Sequence, residues 1–420
     1  MTSIIKLPQL AWQGGRELEL NIPDNWQVEV CNIAGYKTPA MKPEQIKAEI
    51  NRPLDTPPIR EMAKNKQQVV IICDDMSRVT RAATIVPFIL EELAEAGIPD
   101  SRIRFVSALG CHGAMNRIDF ARKLGEAVVS RFPVYNHKAF DSGCIPVGTT
   151  SQGIKVSANA EVMKCDFKIA IGSIEPHVLM GFGGGSKIIL PGITSFETNK
   201  AFHALTAKLE REHPKQFRGM GMHRGNPMRQ DLDDAAAMVG LNIKIDTIFN
   251  MWGEITHVFT GTTRATFANG VDVADKHYLS PRAVEKDIVI ANTYAKVSEP
   301  HSAITNSLPS ISRNGGDLVL ICNAPEGQVV HFLFGSFGRE AAGTALKRPM
   351  LPPNLNRLII YSEYPNATFS NSFAPAEKVI TVDKWEKVLE LLDNPDYRKR
   401  NARVAVYPSA EIQYFTPTLV

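Results

Sequence analysis

Several features are scarce in this chain of 420 residues, and each scarcity closes off a class of protein. The six cysteines stand apart, at Cys31, Cys73, Cys111, Cys144, Cys165 and Cys322, with no Cys-x-x-Cys pair among them. That spacing argues against a zinc ribbon and a disulfide framework, and it fits a reducing compartment. No segment approaches the roughly 20 consecutive apolar residues of a membrane span, and Met1-Thr-Ser-Ile-Ile-Lys-Leu-Pro8 lacks the apolar core of a signal peptide. A cytoplasmic protein without a membrane partner is expected. Charge of one sign is scarce as well: 47 Lys and Arg against 44 Asp and Glu leave a formal net charge of +3. With no basic run interleaved with aromatics, no nucleic-acid partner is expected.

What the chain does have is ordinary globular composition, 44% hydrophobic and 22% charged, at a length that supports two or three cores. Its apolar runs alternate with helical patterns. Glu17–Asn21 and Gln27–Val30 alternate apolar and polar residues as half-buried strands do. Gln67–Cys73, by contrast, is apolar almost throughout, as a strand buried on both faces of a parallel sheet requires. A helix follows over about Thr84 to Ala96, with Pro87 in its first turn. Strand Ile103–Ala108, a helix over about Asn116 to Gly125 and strand Phe167–Ile171 repeat the plan. Beyond them come a helix from Glu197 to Leu209, the strand pair Lys244–Asn250 and Ile255–Phe259, and a helix from about Thr263 to Tyr278. The C-terminal part alternates again, through Asp287–Ala291, Asp317–Cys322, Arg357–Tyr361, Lys378–Val382 and the helix Trp385–Leu392. The expected class is α/β, with two domains, each a mainly parallel sheet flanked by helices: a cofactor-binding domain at 1–280 and a second α/β domain at 281–420.

The densest chemistry lies in Ile174-Glu-Pro-His-Val-Leu-Met-Gly-Phe-Gly-Gly-Gly-Ser-Lys-Ile-Ile-Leu-Pro-Gly192, which holds His177, Lys187 and five glycines. Glycine gives up packing and backbone entropy, so such a cluster points to tight turns or to backbone lying against a ligand. It is not a nucleotide-triphosphate loop: that motif needs Gly-Lys-Ser/Thr, whereas here Ser186 precedes the lysine and Ile188 follows it. It also fails Gly-x-Gly-x-x-Gly.

Two other strand ends carry polar clusters on the same inferred edge of the sheet, where ligands bind in α/β folds. Asp75-Met-Ser-Arg78 offers a helix-start carboxylate with its partner or an anion clamp, in which Ser77 and Arg78 suit phosphate or carboxylate. Leu109-Gly-Cys-His112 supplies a histidine. His112, His177 and His203 then gather near one edge, and imidazole is both a base near neutral pH and a good transition-metal ligand. His137, His213, His223, His257, His277, His301 and His331 have no comparable surroundings.

Together, Asp75-x-Ser-Arg78, Gly110-x-His112, Ile174-Glu-Pro-His177, Gly184-Gly-Ser-Lys187-x-x-x-Pro-Gly192 and His203 resemble the lactate racemase family, mainly over Gln67 to about Gly225. That family uses a nickel-pincer nucleotide, pyridinium-3,5-bisthiocarboxylic acid mononucleotide nickel. The resemblance implies covalent attachment of this cofactor to Lys187, His203 as the protein ligand to nickel, and cofactor binding by Asp75, Ser77, Arg78, Gly184 and Gly185. It implies His112 and His177 as acid/base residues. The implied activity is a racemase or epimerase inverting C2 of a small-molecule 2-hydroxy acid by hydride transfer, with cofactor-biosynthesis enzymes as partners. Two departures stand out: the family's frequent His-Arg pair is His112-Gly113 here, and Asn292–His301 does not reproduce the family's Tyr/Gln/Lys cluster. Tyr294, Lys296 and His301 are the candidates there, and a larger hydroxy acid than lactate is equally compatible. A non-catalytic ligand-binding homologue and a nucleotide-dependent transferase are the alternative readings.

Overall fold

The computed structural model describes residues 3–213, 219–333, 350–370, 372–393, 395, 397 and 401–415. The chain forms two units, one of residues 37–276 with 331–333, the other of residues 1–36, 277–330 and 334–420.

In the first unit, strand Val69–Asp74 is buried along its whole length. Alternate side chains serve different cores: Val69, Ile71 and Cys73 pack with Val86, Ile89 and Leu93 of helix Val86–Glu95, while Val70 and Ile72 pack with Phe202, Leu232 and Ala235 on the other face. This is why the run is apolar without alternation. The six strands lie in the order Ile255–Gly261, Ile243–Phe249, Phe167–Ser173, Val69–Asp74, Ile103–Ala108, Val134–Asn136. All neighbours are parallel except Ile255–Gly261, which returns antiparallel beside Ile243–Phe249. From Val69–Asp74 the chain first builds outward on one side, through Ile103–Ala108 to Val134–Asn136. It then crosses to the other side at Phe167–Ser173, and the gap between these first-laid neighbours is a topological switch point.

The second unit holds a wholly parallel sheet, in the order Val379–Val382, Leu355–Tyr361, Gly316–Ile321, Ile288–Asn292, Arg403–Tyr407, Gln27–Val30. Two mainly parallel sheets flanked by helices are the expected class. The domain limits differ from expectation. Gln27–Val30, expected in a first domain of 1–280, pairs with Arg403–Tyr407, and hairpin Ser3–Gln9/Arg16–Ile22 puts Leu7, Leu18 and Leu20 into the core beneath that same sheet. An edge strand's alternation is compatible with any exposed sheet edge, so pairing to a strand far along the chain is invisible to a local pattern. Among the described residues, no helix is long and apolar enough to cross a membrane.

Candidate functional site

The site is built at the carboxyl ends of the two strands flanking the switch point and of their neighbour Ile103–Ala108, the position at which open α/β sheets bind ligands. Strand Val69–Asp74 ends in two aspartates with different fates. Asp74 accepts hydrogen bonds from Lys123 Nζ at 2.8 Å and Thr80 Oγ1 at 2.5 Å, and burial raises its pKa against the pull of both partners. Lys123 is itself fully buried and also donates to the Arg78 carbonyl at 2.8 Å, so this pair is a brace beneath the loop.

Asp75 turns the other way. Its Oδ1 accepts from the Ser77 amide at 3.0 Å and Ser77 Oγ at 2.5 Å, while Oδ2 lies 2.5 Å from His112 Nδ1. Burial works to raise the Asp75 pKa, but His112, Arg78 and Ser77 outweigh it and hold the carboxyl at about 2. An ionised carboxylate on Nδ1 fixes the proton there, so His112 presents the lone pair of Nε2 as a base. Asp75, expected among the cofactor-binding residues, thus stands with Ser77 behind His112. Gly110, with a φ of +56°, makes the turn that brings His112 round, and its amide donates to the Gly192 carbonyl at 2.8 Å.

Arg78 spans the switch point. Its Nε lies 2.9 Å from Oε1 of Glu175, which follows strand Phe167–Ser173, and its Nη1 donates to the Ser77 carbonyl and Oγ. Glu175 is 1% exposed, so the expected anion clamp already carries a buried counter-charge. Its sequence signal was its place inside Ile174-Glu-Pro-His177, with no spacing rule to couple it to Arg78.

Two residues on, His177 is held by backbone: its Nδ1 accepts from the amides of Leu179 and Met180, each at 3.2 Å. The glycine-rich stretch then folds inward. Gly184 has a φ of +83°, and a Cβ there would lie 2.5 Å from Ile174 Cγ1; at Gly185, φ +57°, it would lie 3.0 Å from Phe267 Cβ. These two glycines serve a tight turn over protein atoms. The Gly185 amide donates to Asp246 Oδ2 at 2.9 Å, and Ser186 Oγ donates to Asp233 Oδ1 at 2.6 Å. Asp246 is neutralised by Lys244 at 2.6 Å, with both side chains fully buried. Below them Arg229 stacks on Phe267, 3.5 Å above the ring centroid, and donates to the Phe182 carbonyl. The acids and bases that pin this loop, Asp233, Asp246, Lys244 and Arg229, carried no recognisable motif.

The turn Gly185–Ile188 delivers Lys187, half-buried, and Ser195 then caps helix Phe196–Glu212 by accepting from the Thr198 amide. His203 on this helix donates from Nδ1 to the Asn199 carbonyl at 2.7 Å, leaving Nε2 as the unprotonated nitrogen. Burial, with the nearby charges of Lys187 and His112, lowers its pKa to about 4 although the Asn199 bond opposes this. A neutral imidazole with its far nitrogen locked on a carbonyl is the form that ligates a metal. His112, Lys187 and His203 therefore share one electrostatic neighbourhood.

His137 is structural, as its sequence surroundings suggested. It is buried, with Nε2 on the Thr194 carbonyl and Nδ1 on Asn159 Nδ2, both at 2.9 Å. His331, set aside on the same grounds, lies beside His112 with ring centroids 4.8 Å apart. In the other unit, the amides of Tyr294, Ala295 and Lys296 converge on Glu411 Oε1 at 2.6, 2.5 and 3.3 Å. Burial raises the Glu411 pKa against those bonds. His301 packs between Phe369 and Phe373 there.

The fold and the strand-end cluster define an α/β protein with a polar site at the switch point of one of its two six-stranded sheets, equipped with a carboxylate-oriented histidine, a metal-ready histidine and a loop lysine. Residues 13–214 match the lactate racemase N-terminal domain. The chain is 27% identical over 303 residues to the lactate racemase of Lactiplantibacillus plantarum, covering 71% of this chain and 70% of that one. It is 26% identical over 283 residues to the lactate racemase of Thermoanaerobacterium thermosaccharolyticum, covering 66% and 65% respectively. The fold matches the lactate racemase apoprotein structure from Thermoanaerobacterium thermosaccharolyticum with a TM-score of 0.72 at 20% identity, over 98% of this chain and 100% of that one. A Thermotoga maritima protein from structural genomics matches at 0.64 and 17%, over 90% and 99%. The chain thus matches the lactate racemase N-terminal domain over residues 13–214 and is similar to lactate racemases over about two thirds of its length.

Proposed function

We propose that this protein is a racemase or epimerase that inverts C2 of a 2-hydroxy acid, using a nickel-pincer nucleotide attached to Lys187. Kinship with lactate racemases supports racemase chemistry; the finer reading rests on the site. The observation that carries it is the division of labour among three side chains: His112 oriented by Asp75, His203 neutral with Nε2 presented, and Lys187 on a braced turn within reach of His203's field. These residues fit the group. His203 would ligate the nickel, Lys187 would form the attachment, and Ser77 and Arg78 would lie toward its phosphate.

When bound, the group supplies a hydride acceptor and donor, which spares C2 the carbanion that proton abstraction would require. The chain's residues do the rest. His112 takes the hydroxyl proton at Nε2, and the ionised Asp75 stabilises the imidazolium that forms. His177 carries its proton on Nε2, because Nδ1 accepts two amides, and hydrogen-bonds the oxygen from the other side, while the proton held by His112 returns to that oxygen as the product forms. Arg78, with its charge balanced by Glu175, holds the strand ends together and orients Ser77. Lys187 contributes attachment and no proton transfer.

A nucleotide-dependent transferase is disfavoured, because the Gly185 amide that a phosphate would use is committed to Asp246. A cytoplasmic site of action, where cofactor-building enzymes could load the protein, belongs to the same reading. The test is intact-mass analysis with metal assay after co-production with those enzymes. An adduct that disappears in Lys187→Ala, with one nickel per chain, is expected; protein that stays at its unmodified mass with no nickel contradicts the proposal.

A further inference from the structure

Two buried ion pairs beneath the site meet over a glycine. Gly172 lies in strand Phe167–Ser173, in register with Asp246 of Ile243–Phe249 on one side, while Asp74 ends Val69–Asp74 on the other. Its φ is outside the left-handed region, so space and not conformation calls for a glycine there. A Cβ at Gly172 would lie 3.2 Å from Lys244 Nζ, 3.7 Å from Asp74 Oδ2 and 3.9 Å from Asp246 Oδ1. The ammonium of Lys244, 2.6 Å from Asp246 Oδ1, thus shares with the Asp74 carboxylate the room that a side chain would fill. With Lys123 on Asp74 at 2.8 Å, the charges alternate in the order Lys123, Asp74, Lys244, Asp246, and all of these residues are buried.

Each end of this row supports a loop of the site. Asp246 Oδ2 accepts from the Gly185 amide at 2.9 Å, two residues before Lys187. Asp74 precedes Asp75, whose carboxylate holds His112, and Lys123 donates to the Arg78 carbonyl. One register step back, on the same face, Ile72 and Ala170 are apolar and pack in the core. Apolar side chains of similar volume stabilise a buried position as well as an ion pair does, so charges confined to the strand ends point to placement of the loops. We propose that Lys244 is a positioning residue for Lys187. Seated over Gly172 between Asp246 and Asp74, its ammonium ties the turn carrying Lys187 to the loop carrying His112, and so sets the spacing of attachment point and base in the protein before the cofactor arrives. That role rests on the function proposed above and acts through Asp246 and the Gly185 amide. Misplacing a reacting group by about 1 Å can cost about 10²-fold in rate, so a small displacement of this ammonium should be felt at Lys187.

One probe is Gly172→Ala, which removes no charge and puts one methyl in the path of the ammonium. The other is Lys244→Met combined with Asp246→Asn, which removes one ion pair while the Asn Oδ1 can still accept from the Gly185 amide. Ile72→Val, which trims the core one step back, is the control for lost stability alone. Hydrogen exchange of each apoprotein is read at segments 109–113 and 184–187. Growth of the Lys187 adduct, per folded chain, is followed by intact mass during co-production with the cofactor-building enzymes. Both probes should speed exchange in the two segments together and slow adduct growth about tenfold or more. Ile72→Val should lower the melting temperature and leave both readings at wild-type values. Exchange that changes in only one segment, or adduct growth within twofold of wild type in both probes, overturns the role of Lys244. The reading it rests on fails differently: a wild type that gains no adduct contradicts the function itself, and coupled exchange in the apoprotein then still supports the tie between the loops.

Discussion

His112 and His177 follow strands on either side of Val69–Asp74 at one sheet edge, yet they are held by different means. Asp75, an ionised carboxylate, grips His112, whereas two amide groups grip His177. A carboxylate stabilises the protonated ring, so His112 is set to accept a proton and keep it. Amides pointing at Nδ1 favour the neutral ring with its proton on Nε2, so His177 begins as a donor. The sheet edge places two imidazoles; the groups on Nδ1 decide which presents a lone pair at Nε2 and which a proton. The same contrast holds for the loops that carry them. The His112 loop is organised by one ion pair, and the glycine-rich loop is organised from beneath by Asp233, Asp246, Lys244 and Arg229.

The largest effect should separate attachment from proton transfer. Lys187→Arg should abolish the covalent adduct outright while His112→Ala leaves it intact and lowers kcat by about 10² to 10⁴, read by intact mass beside a chiral assay. Loss of the adduct in His112→Ala would merge the two roles and break the comparison. Next, Glu175→Gln strips the counter-charge from Arg78 at the switch point. Urea unfolding should show a loss of about 3 kcal/mol, the magnitude for breaking a buried pair.

A histidine outside the site sharpens the contrast by its pH dependence. Burial lowers the His137 pKa from 6.5 to about 4 even though the Thr194 carbonyl opposes it. The unfolded chain therefore binds a proton that the fold refuses, and stability should fall by about 3 kcal/mol as the pH drops from 6.5 to 4. His137→Gln should flatten that part of the melting-temperature curve.

Asp75 works lower on the scale and with the same preference for the deprotonated form. Its folded value of about 2 lies below the usual 3.8, so its stabilisation is full above pH 4 and disappears as the pH falls through 2. The expected contribution is about 2 kcal/mol, absent from Asp75→Asn at every pH in a refolding titration.

Much of this was legible in the sequence where one local rule sufficed. Continuous apolar runs marked the buried strands, and polar clusters followed them at one edge of the sheet. The glycine cluster was visible, but not the direction in which it faces: Gly184 and Gly185 lie against Ile174 and Phe267, which no spacing within the loop encodes. Long-range pairings were the other blind spot. Gln27–Val30 joins Arg403–Tyr407, Arg78 finds Glu175 across the switch point, and His331 reaches His112, each through contacts remote in sequence.

The central claim, C2 inversion with the hydrogen moved as hydride, is tested most directly by running the cofactor-loaded protein on one enantiomer of a 2-hydroxy acid in D₂O. Proton nuclear magnetic resonance at C2 and a chiral separation then follow the same sample. The account predicts conversion to the opposite enantiomer with the original hydrogen retained at C2. Inversion accompanied by deuterium at C2, or no inversion across a panel of 2-hydroxy acids, would contradict it.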